Sequence, residues 1–290
     1  MSASNPARAA SASAIQSHYD VGTAFYRLWL DPSLAYSCAL WAPGDTLEAA
    51  QRRKLVHHAE RSAAHGAARV LEIGCGWGSM MSHLVRECDV KSVVGLTLSA
   101  DQARHIEQTR DPRVQVRLQS WEEYQPDEPF DAIISIGAFE HFVATGHDSE
   151  TKVGQYRKFF ERCRAWLKPG GQLSLQTICY EDACDADFPQ FFTTDVFPES
   201  ALPQPWEIFK ATSRLFETLE LRMDREHYLT TLKHWFRNLR AARSAAVELV
   251  GSETVDRYEK YLQFSMLGFH ARRTNLARLS LRRLDPREAP

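Results

Sequence analysis

The chain has 290 residues, 44% of them apolar, which is enough for one large core and one domain. Its 35 basic residues against 37 acidic ones give a net charge of −2, which supplies no extended positive field and excludes nucleic acid as an expected partner. The six cysteines show no CxxC pair or disulfide framework, so we expect reduced thiols, no metal site and a cytoplasmic location. With no signal-like segment and no apolar run of about 18 residues, any membrane contact is expected to be peripheral.

By composition the chain divides into a tail and one domain. Residues 1–14 are small and rich in Ser and Ala, so they are expected to form a disordered tail. The domain is expected to comprise an aromatic N-terminal cover (15–65), a ligand-binding core (66–178), a lid (179–250) and a C-terminal helix with an edge strand (251–290). Aromatic residues of the N-terminal cover either form ordinary core or lie over a ligand crevice. They include His18, Tyr19, Tyr26, Trp29, Tyr36 and Trp41.

Residues 70–79 read VLEIGCGWGS and predict a strand, a tight turn and a helix. Gly74, Gly76 and Gly78 let the backbone approach a ligand, because a Cβ would clash or forbid a positive φ. The amides at the start of the next helix then point at whatever binds above the sheet edge. The G-x-G-x-G spacing differs from the dinucleotide fingerprint, and no acid stands about 20 residues further on, which disfavours a nicotinamide cofactor.

Strands and helices continue to alternate, which predicts a parallel sheet with both faces covered. A ligand then binds at the carboxyl ends of the strands, where Gly74, Thr97, Ser120 and Gly137 fall. The predicted strands are 92–97, 114–119, 130–137 and 172–178, and the predicted helices are 79–87, 100–109 and 153–167.

After the strand at 130–137, Glu140 and His141 stand side by side. At a turn, both of these side chains can face the crevice. Beyond residue 178 the alternation stops, and an aromatic, proline-rich stretch that is too apolar for a free loop predicts the lid.

A predicted helix over 229–249 carries a row of basic residues on one face. This row either meets an anionic membrane or an acidic carrier protein, or is an ordinary solvated face. A helix over 255–266 and an antiparallel edge strand over 271–281 are predicted to end the domain. The basic residues are Lys233, Arg237, Arg240 and Arg243.

Five motifs, in order, resemble the cyclopropane-fatty-acid synthase and mycolic-acid methyltransferase family, whose members are class I S-adenosylmethionine-dependent methyltransferases. They are HYDVG, FYRLWLDPSLAYSCALW, LEAAQRRKL, GCGWGS and VVGLTLSADQ, and the match continues to about Leu281. The resemblance implies a Rossmann-like α/β fold with a seven-stranded, mostly parallel sheet and helices on both faces. It also implies S-adenosylmethionine as cofactor. The cofactor-binding residues assigned in this way are Tyr36, Ser37, Glu72, Gly74, Cys75, Gly76, Thr97, Leu98, Gln102, Ser120, Trp121, Glu122 and Ile136.

In the family, the equivalent of Glu140 lines the acceptor pocket and holds a bicarbonate ion that serves as the catalytic base. The other contacts to that ion match here at Cys38 and Ile178, through the backbone, and at Tyr228. Gln176 stands where the family usually has histidine, and it offers an amide dipole instead of a charge. Either bicarbonate is retained, or Glu140 or a lid histidine removes the proton directly. The candidate catalytic residues are Glu140, His141, Cys38, Gln176, Ile178 and Tyr228.

Three other departures from the family pattern are visible. Residues 143–152 look like a polar insertion, which either trims the acceptor pocket or is a plain surface loop. Ser200 replaces a glycine in an FPxGxLP-like segment, and Ser265 replaces a cysteine common in the family.

The resemblance implies methyl transfer to an alkene carbon of a hydrophobic, lipid-like acceptor, either free or attached to a carrier, with a cyclopropane or methyl-branched product. A second reading is a small-molecule N- or C-methyltransferase of secondary metabolism, because the FEH element also resembles plant coclaurine-type N-methyltransferases. A third is a cofactor-binding scaffold without activity. The acceptor, its carrier and the oligomeric state stay open.

Overall fold

The computed structural model describes residues 21–184, 187 and 200–285. The predicted tail, His18, Tyr19 and residues 185–186 and 188–199 of the predicted lid lie outside the described residues. The helices within them are α1 (Thr23–Tyr26), α2 (Leu47–Arg61), α3 (Ser79–Glu87), α4 (Ala100–Glu107), α5 (Ser149–Trp166), α6 (Pro205–Thr212), α7 (Arg225–Ala241), α8 (Arg243–Val250) and α9 (Ser252–His270). The strands are β1 (Val70–Ile73), β2 (Val93–Thr97), β3 (Val114–Leu118), β4 (Phe130–Ile136), β5 (Leu167–Tyr180), β6 (Phe216–Met223) and β7 (Thr274–Arg283).

The seven strands form one sheet in the order β3-β2-β1-β4-β5-β7-β6. Strands β1 to β5 run parallel, and β7 pairs antiparallel with both β5 and β6. Because β1 lies between β2 and β4, the strand order reverses there and opens a crevice at the carboxyl ends. The predicted fold class is confirmed.

One prediction about the sheet is wrong. The C-terminal strand was expected at an edge, but β7 lies inside the sheet. The edge is formed by β6, which comes from the region predicted as lid and pairs along β7 from Phe216 to Met223.

Alternate strand residues supply the two faces of the core. Leu71 and Ile73 pack in one hydrophobic cluster with Phe159 and Phe160 of α5. Val70 lies in a second cluster on the opposite face. The sheet is therefore buried between two layers, as its parallel strands require.

A third cluster joins the N-terminal cover to α7 and α9. Tyr26 and Trp29 are completely buried in it. The Tyr26 hydroxyl lies 2.7 Å from that of Tyr258, and the Trp29 and Trp235 rings meet edge to face. For Tyr26 and Trp29, the ordinary core reading is the correct one.

The predicted basic row does not form one continuous face, because the helix expected over 229–249 is interrupted between α7 and α8. Arg240 bonds to Glu259 at 3.2 Å. Arg243 bonds to Glu259 at 2.8 Å and to Asp256 at 2.7 Å. These cations are therefore paired with acids of α9. In the part of the chain that the structure describes, no helix has both the length and the apolarity needed to cross a bilayer.

Candidate active site

A cavity of about 500 Å³, here called the cofactor cavity, lies at the carboxyl ends of the central strands. Every residue that the sequence analysis assigned to cofactor binding lines it. These residues are Tyr36, Ser37, Glu72, Gly74, Cys75, Gly76, Thr97, Leu98, Gln102, Ser120, Trp121, Glu122 and Ile136.

The glycine-rich turn after β1 forms the floor of this cavity. Gly74 has φ +79°, and a Cβ there would lie 2.3 Å from the Ala138 side chain. Gly76 has φ +52°, and a Cβ there would meet no protein atom within 4 Å. The first glycine therefore permits close packing of two turns, and the second keeps space open.

Polar side chains along the cavity are held in place by one another. The Thr97 hydroxyl donates to Gln102 Oε1 at 2.7 Å, and Ser99 caps the first turn of α4. The Glu122 carboxylate accepts from Gln155 at 2.8 Å. Trp121 packs edge to face on Phe159, so its ring is fixed at the cavity wall. The cavity is thus largely pre-formed for a ligand with both polar and aromatic parts.

Lys54 is a cavity residue that the sequence analysis did not select. It is 1% exposed, and its ammonium donates to the Ser37 hydroxyl at 3.0 Å. Burial lowers the pKa of Lys54 to about 8. Burial raises the pKa of Glu72 to about 8, although the positive charge of Lys54 opposes this rise. The available signal was a lysine on the buried face of α2, seven residues after Leu47.

A second, smaller cavity of about 110 Å³, here called the acceptor cavity, adjoins the first. Tyr36, Ser37, Gly137 and His141 line both. Of the candidate catalytic residues, the structure brings Glu140, His141, Gln176, Ile178 and Tyr228 to the acceptor cavity. Its remaining walls are mostly apolar, from side chains that include Leu202, Leu232, Tyr261, Phe264, Phe269 and Leu276.

Glu140 is the acid of the acceptor cavity. It lies in a single 3-10 turn, Phe139–His141, directly after β4. Its Oε1 accepts a hydrogen bond from the Ile178 amide at 2.7 Å. Its buried Oε2 has no hydrogen-bond partner among the described residues. Burial raises the pKa of Glu140 to about 7, the range of a general base, against the opposing effect of the Ile178 amide.

His141 is a neutral group at this site. Its Nδ1 lies 2.7 Å from the Ser200 hydroxyl, and burial lowers the pKa of the imidazole to about 4. It can therefore accept or donate a hydrogen bond but carries no charge near neutral pH. Ser200, which replaces the family's glycine, thus has a defined contact.

Cys38 is the one catalytic candidate that the structure does not bring to the acceptor cavity. The Cys38 carbonyl accepts from Arg278 at 3.1 Å, and its thiol donates to the Ala39 carbonyl at 3.2 Å. Burial raises the pKa of this thiol to about 11. The Cys38 carbonyl, which the resemblance assigned to the bicarbonate ion, therefore already has a hydrogen-bond partner in Arg278.

The segment 143–152 supports the acceptor cavity from outside. The Val143 carbonyl accepts from the Ala201 amide at 2.9 Å, between the two cavity residues Ser200 and Leu202. Asp148 caps α5, and Lys152 donates to the Leu202 carbonyl at 2.7 Å. The segment therefore fixes one wall of the cavity.

The strand order and the glycine-rich cavity at its reversal point define a class I S-adenosylmethionine-dependent methyltransferase fold. Comparison with known proteins gives the family. Residues 7–279 match the family described as mycolic acid cyclopropane synthetase. The chain belongs to this family.

Individual relatives agree over nearly the whole chain. Cyclopropane mycolic acid synthase 2 of Mycobacterium leprae is 38% identical over 291 residues, covering 92% of each chain. The structure of cyclopropane synthase MmaA2 from Mycobacterium tuberculosis is 31% identical, with a TM-score of 0.84 over 95% of this chain and 99% of that one. The mycolic acid cyclopropane synthase CmaA1, complexed with SAH and CTAB, is 32% identical, with a TM-score of 0.85 over 94% of this chain and 98% of that one.

The second function considered above, that of a small-molecule N-methyltransferase, also has a structural neighbour, but at a lower sequence identity. Coclaurine N-methyltransferase bound to N-methylheliamine and SAH superimposes with a TM-score of 0.78 at 19% identity, covering 96% of this chain and 84% of that one. This likeness is one of fold alone.

Proposed function

We propose that the chain transfers the methyl group of S-adenosylmethionine to an alkene carbon of a lipid-like acyl acceptor. One observation carries the proposal: an apolar cavity with one buried carboxylate, Glu140, adjoins the cofactor cavity through shared lining residues. A substrate in the acceptor cavity and a methyl donor in the cofactor cavity can therefore meet. An apolar wall suits a hydrocarbon chain.

The cofactor, when bound, supplies a methyl group activated by a positive sulfur. The alkene π electrons form the new carbon–carbon bond, and the sulfur keeps the electron pair of the bond that breaks. The protein's part is to align the acceptor, exclude water and stabilise the positive charge left on the neighbouring carbon. Aromatic rings of Tyr228, Tyr261, Phe264 and Phe269 line the cavity and can stabilise a cation through their faces.

A proton must then leave, either from the new methyl group to close a cyclopropane or from a neighbouring carbon to give a methyl-branched alkene. Glu140 Oε2 is the protein atom suited to receive it, because it is buried, lacks a partner among the described residues and belongs to a group with a pKa of about 7.

Bicarbonate also fits this cavity in part. Glu140 Oε2 offers an unused acceptor, and Gln176, whose carbonyl oxygen accepts from Arg278, lines the same cavity. A bicarbonate ion can donate to a carboxylate and accept from an amide at the same time. Glu140, Gln176 and Tyr228 would hold it, and it would supply a small base. The Cys38 carbonyl and the Ile178 amide, by contrast, already have partners.

The test is product analysis with ¹³C-methyl S-adenosylmethionine and a phospholipid that carries a cis-unsaturated acyl chain. We expect the label either in a cyclopropane methylene, with loss of the alkene signal, or in a branched methyl group on a product that keeps an alkene. Label that appears only in an amine offered in parallel would overturn the proposal. Removal of carbonate from the buffer then tells whether bicarbonate takes part.

A further inference from the structure

The Gln176 carboxamide has a fixed orientation. Its Oε1 lies 2.8 Å from Arg278 Nε and 3.2 Å from His58 Nε2. A guanidinium can only donate hydrogen bonds, so the atom that faces Arg278 must be the carbonyl oxygen. The amide nitrogen therefore occupies the other branch of the side chain, and Gln176 is one of the residues lining the acceptor cavity.

The neighbouring histidine strengthens this assignment. Because Gln176 Oε1 can only accept, His58 Nε2 carries the proton, and His58 Nδ1 accepts from the Ser174 hydroxyl at 2.8 Å. This arrangement requires a neutral imidazole, and burial together with the charge of Arg278 lowers the pKa of His58 well below its usual value. Two donors therefore hold the same carbonyl oxygen.

Arg278 is itself rigid. It is 1% exposed and lies directly opposite Gln176 in the β5–β7 pairing. Its Nη1 bonds to Asp224, and its Nη2 donates to the Cys38 and Ala39 carbonyls, each at 3.1 Å. A buried charge is costly unless it is paired, and here every nitrogen of the guanidinium has a partner.

We propose that Arg278 is a positioning residue, which holds the Gln176 carboxamide so that its amide nitrogen is the donor to an oxyanion bound beside Glu140. The inference rests on the proposed function, because it concerns the same cavity. It explains how glutamine can serve at a position where the family usually has histidine. A wrongly turned carboxamide would instead present a carbonyl oxygen and repel the anion.

Arg278→Lys tests this inference, with Arg222→Lys as its matched control. Arg222 pairs with the same acid, donating to Asp224 at 3.1 Å and 3.0 Å. Arg222 makes no hydrogen bond to Gln176 among the described residues. A lysine at either position can still neutralise Asp224, but a single ammonium at position 278 cannot also fix Gln176 and both carbonyls.

The readout is the dissociation constant of ¹³C-bicarbonate for the protein saturated with S-adenosylhomocysteine, followed by NMR line broadening. We expect Arg278→Lys to weaken this binding roughly tenfold or more and Arg222→Lys to leave it unchanged. Affinity for S-adenosylhomocysteine should be the same in both variants and in the parent. Unchanged bicarbonate binding in a folded Arg278→Lys protein, or no bicarbonate binding by the parent, overturns the inference.

Gln176→Glu covers the case in which Arg278→Lys fails to fold. Glutamate keeps an oxygen for Arg278 but replaces the amide donor with a second carboxylate oxygen, so bicarbonate binding should again be lost. Retained binding in Gln176→Glu contradicts the proposal. Methyl transfer by the parent protein is assayed separately, and its absence would count against the proposed function alone.

Discussion

The Ile178 amide donates to one oxygen of the Glu140 carboxylate at 2.7 Å, and the other oxygen is buried without a hydrogen-bond partner among the described residues. One oxygen therefore anchors the side chain, and the second is available for chemistry. The short turn after β4 and the end of β5 meet at this point. The arrangement places a group with a raised pKa next to the methyl donor's cavity.

Replacing Glu140 with glutamine is expected to abolish turnover and to preserve cofactor binding. The amide keeps the size of the carboxylate but cannot take up a proton, and loss of a general base costs about a hundredfold or more in rate. The measurements are methyl transfer and the dissociation constant for S-adenosylhomocysteine. Glu87→Gln, at a half-exposed surface acid, is the control. Normal turnover in Glu140→Gln would refute the site assignment.

Turnover is expected to rise with pH through about 7. The acid form of Glu140 predominates below its pKa of about 7, and only the carboxylate above it can accept a proton. His141 has a pKa of about 4, so it adds no second transition near neutrality. The measurement is kcat against pH at saturating cofactor. A transition at the ordinary carboxyl pKa, or none, would contradict the account.

Much of the cofactor cavity could be predicted because its residues follow strand ends within recognisable motifs. Gly74, Thr97, Ser120 and Gly137 lie where parallel strands stop, and the sheet brings these strand ends together at one edge. Local sequence also indicated α3 and α4 to within a few residues.

The features that could not be predicted depend on contacts between distant parts of the chain. The Cys38 carbonyl accepts a hydrogen bond from Arg278, which is 240 positions away and carried no local signal. The place of β7 inside the sheet depends on β6, which the aromatic composition of the lid region concealed. In the sequence Lys54 looks like a surface lysine, and its burial becomes visible only when α2 packs against the sheet.

Gly76→Ala is expected to weaken cofactor binding, beyond the loss of stability that any alanine at a positive φ causes. A methyl group there would contact no protein atom within 4 Å and would enter the cofactor cavity. Gly66→Ala is the matched control, since Gly66 has φ +70° and equally open surroundings but does not line the cavity. Both variants carry a backbone strain of about 1–2 kcal/mol. Equal cofactor affinities in the two variants would contradict the placement.

Gly74→Ala is expected to lower the melting temperature more than either of those variants. Its methyl group would lie 2.3 Å from the Ala138 side chain, so one of the two turns must move. Thermal unfolding of the variant proteins without cofactor measures this effect. A Tm equal to that of Gly66→Ala would show that the two turns are not in contact.

Lys54→Met is expected to reduce cofactor affinity roughly tenfold, about 1.4 kcal/mol, because it removes the hydrogen bond to Ser37 and the cation beside Glu72. Stability should not fall, since burial of the ammonium is costly in itself. The dissociation constant for S-adenosylhomocysteine and the Tm are compared with those of Lys91→Met, an exposed lysine paired with Asp89. Unchanged affinity would remove Lys54 from the site.

Mass spectrometry after incubation with methyl-labelled S-adenosylmethionine and two acceptor pools, one of unsaturated lipids and one of small amines and phenols, distinguishes the two classes of acceptor. We expect label in the lipid pool, as a gain of one CH₂ per modified molecule. Label confined to the small-molecule pool would contradict the proposed function and would mean that the apolar cavity beside Glu140 serves a compact acceptor.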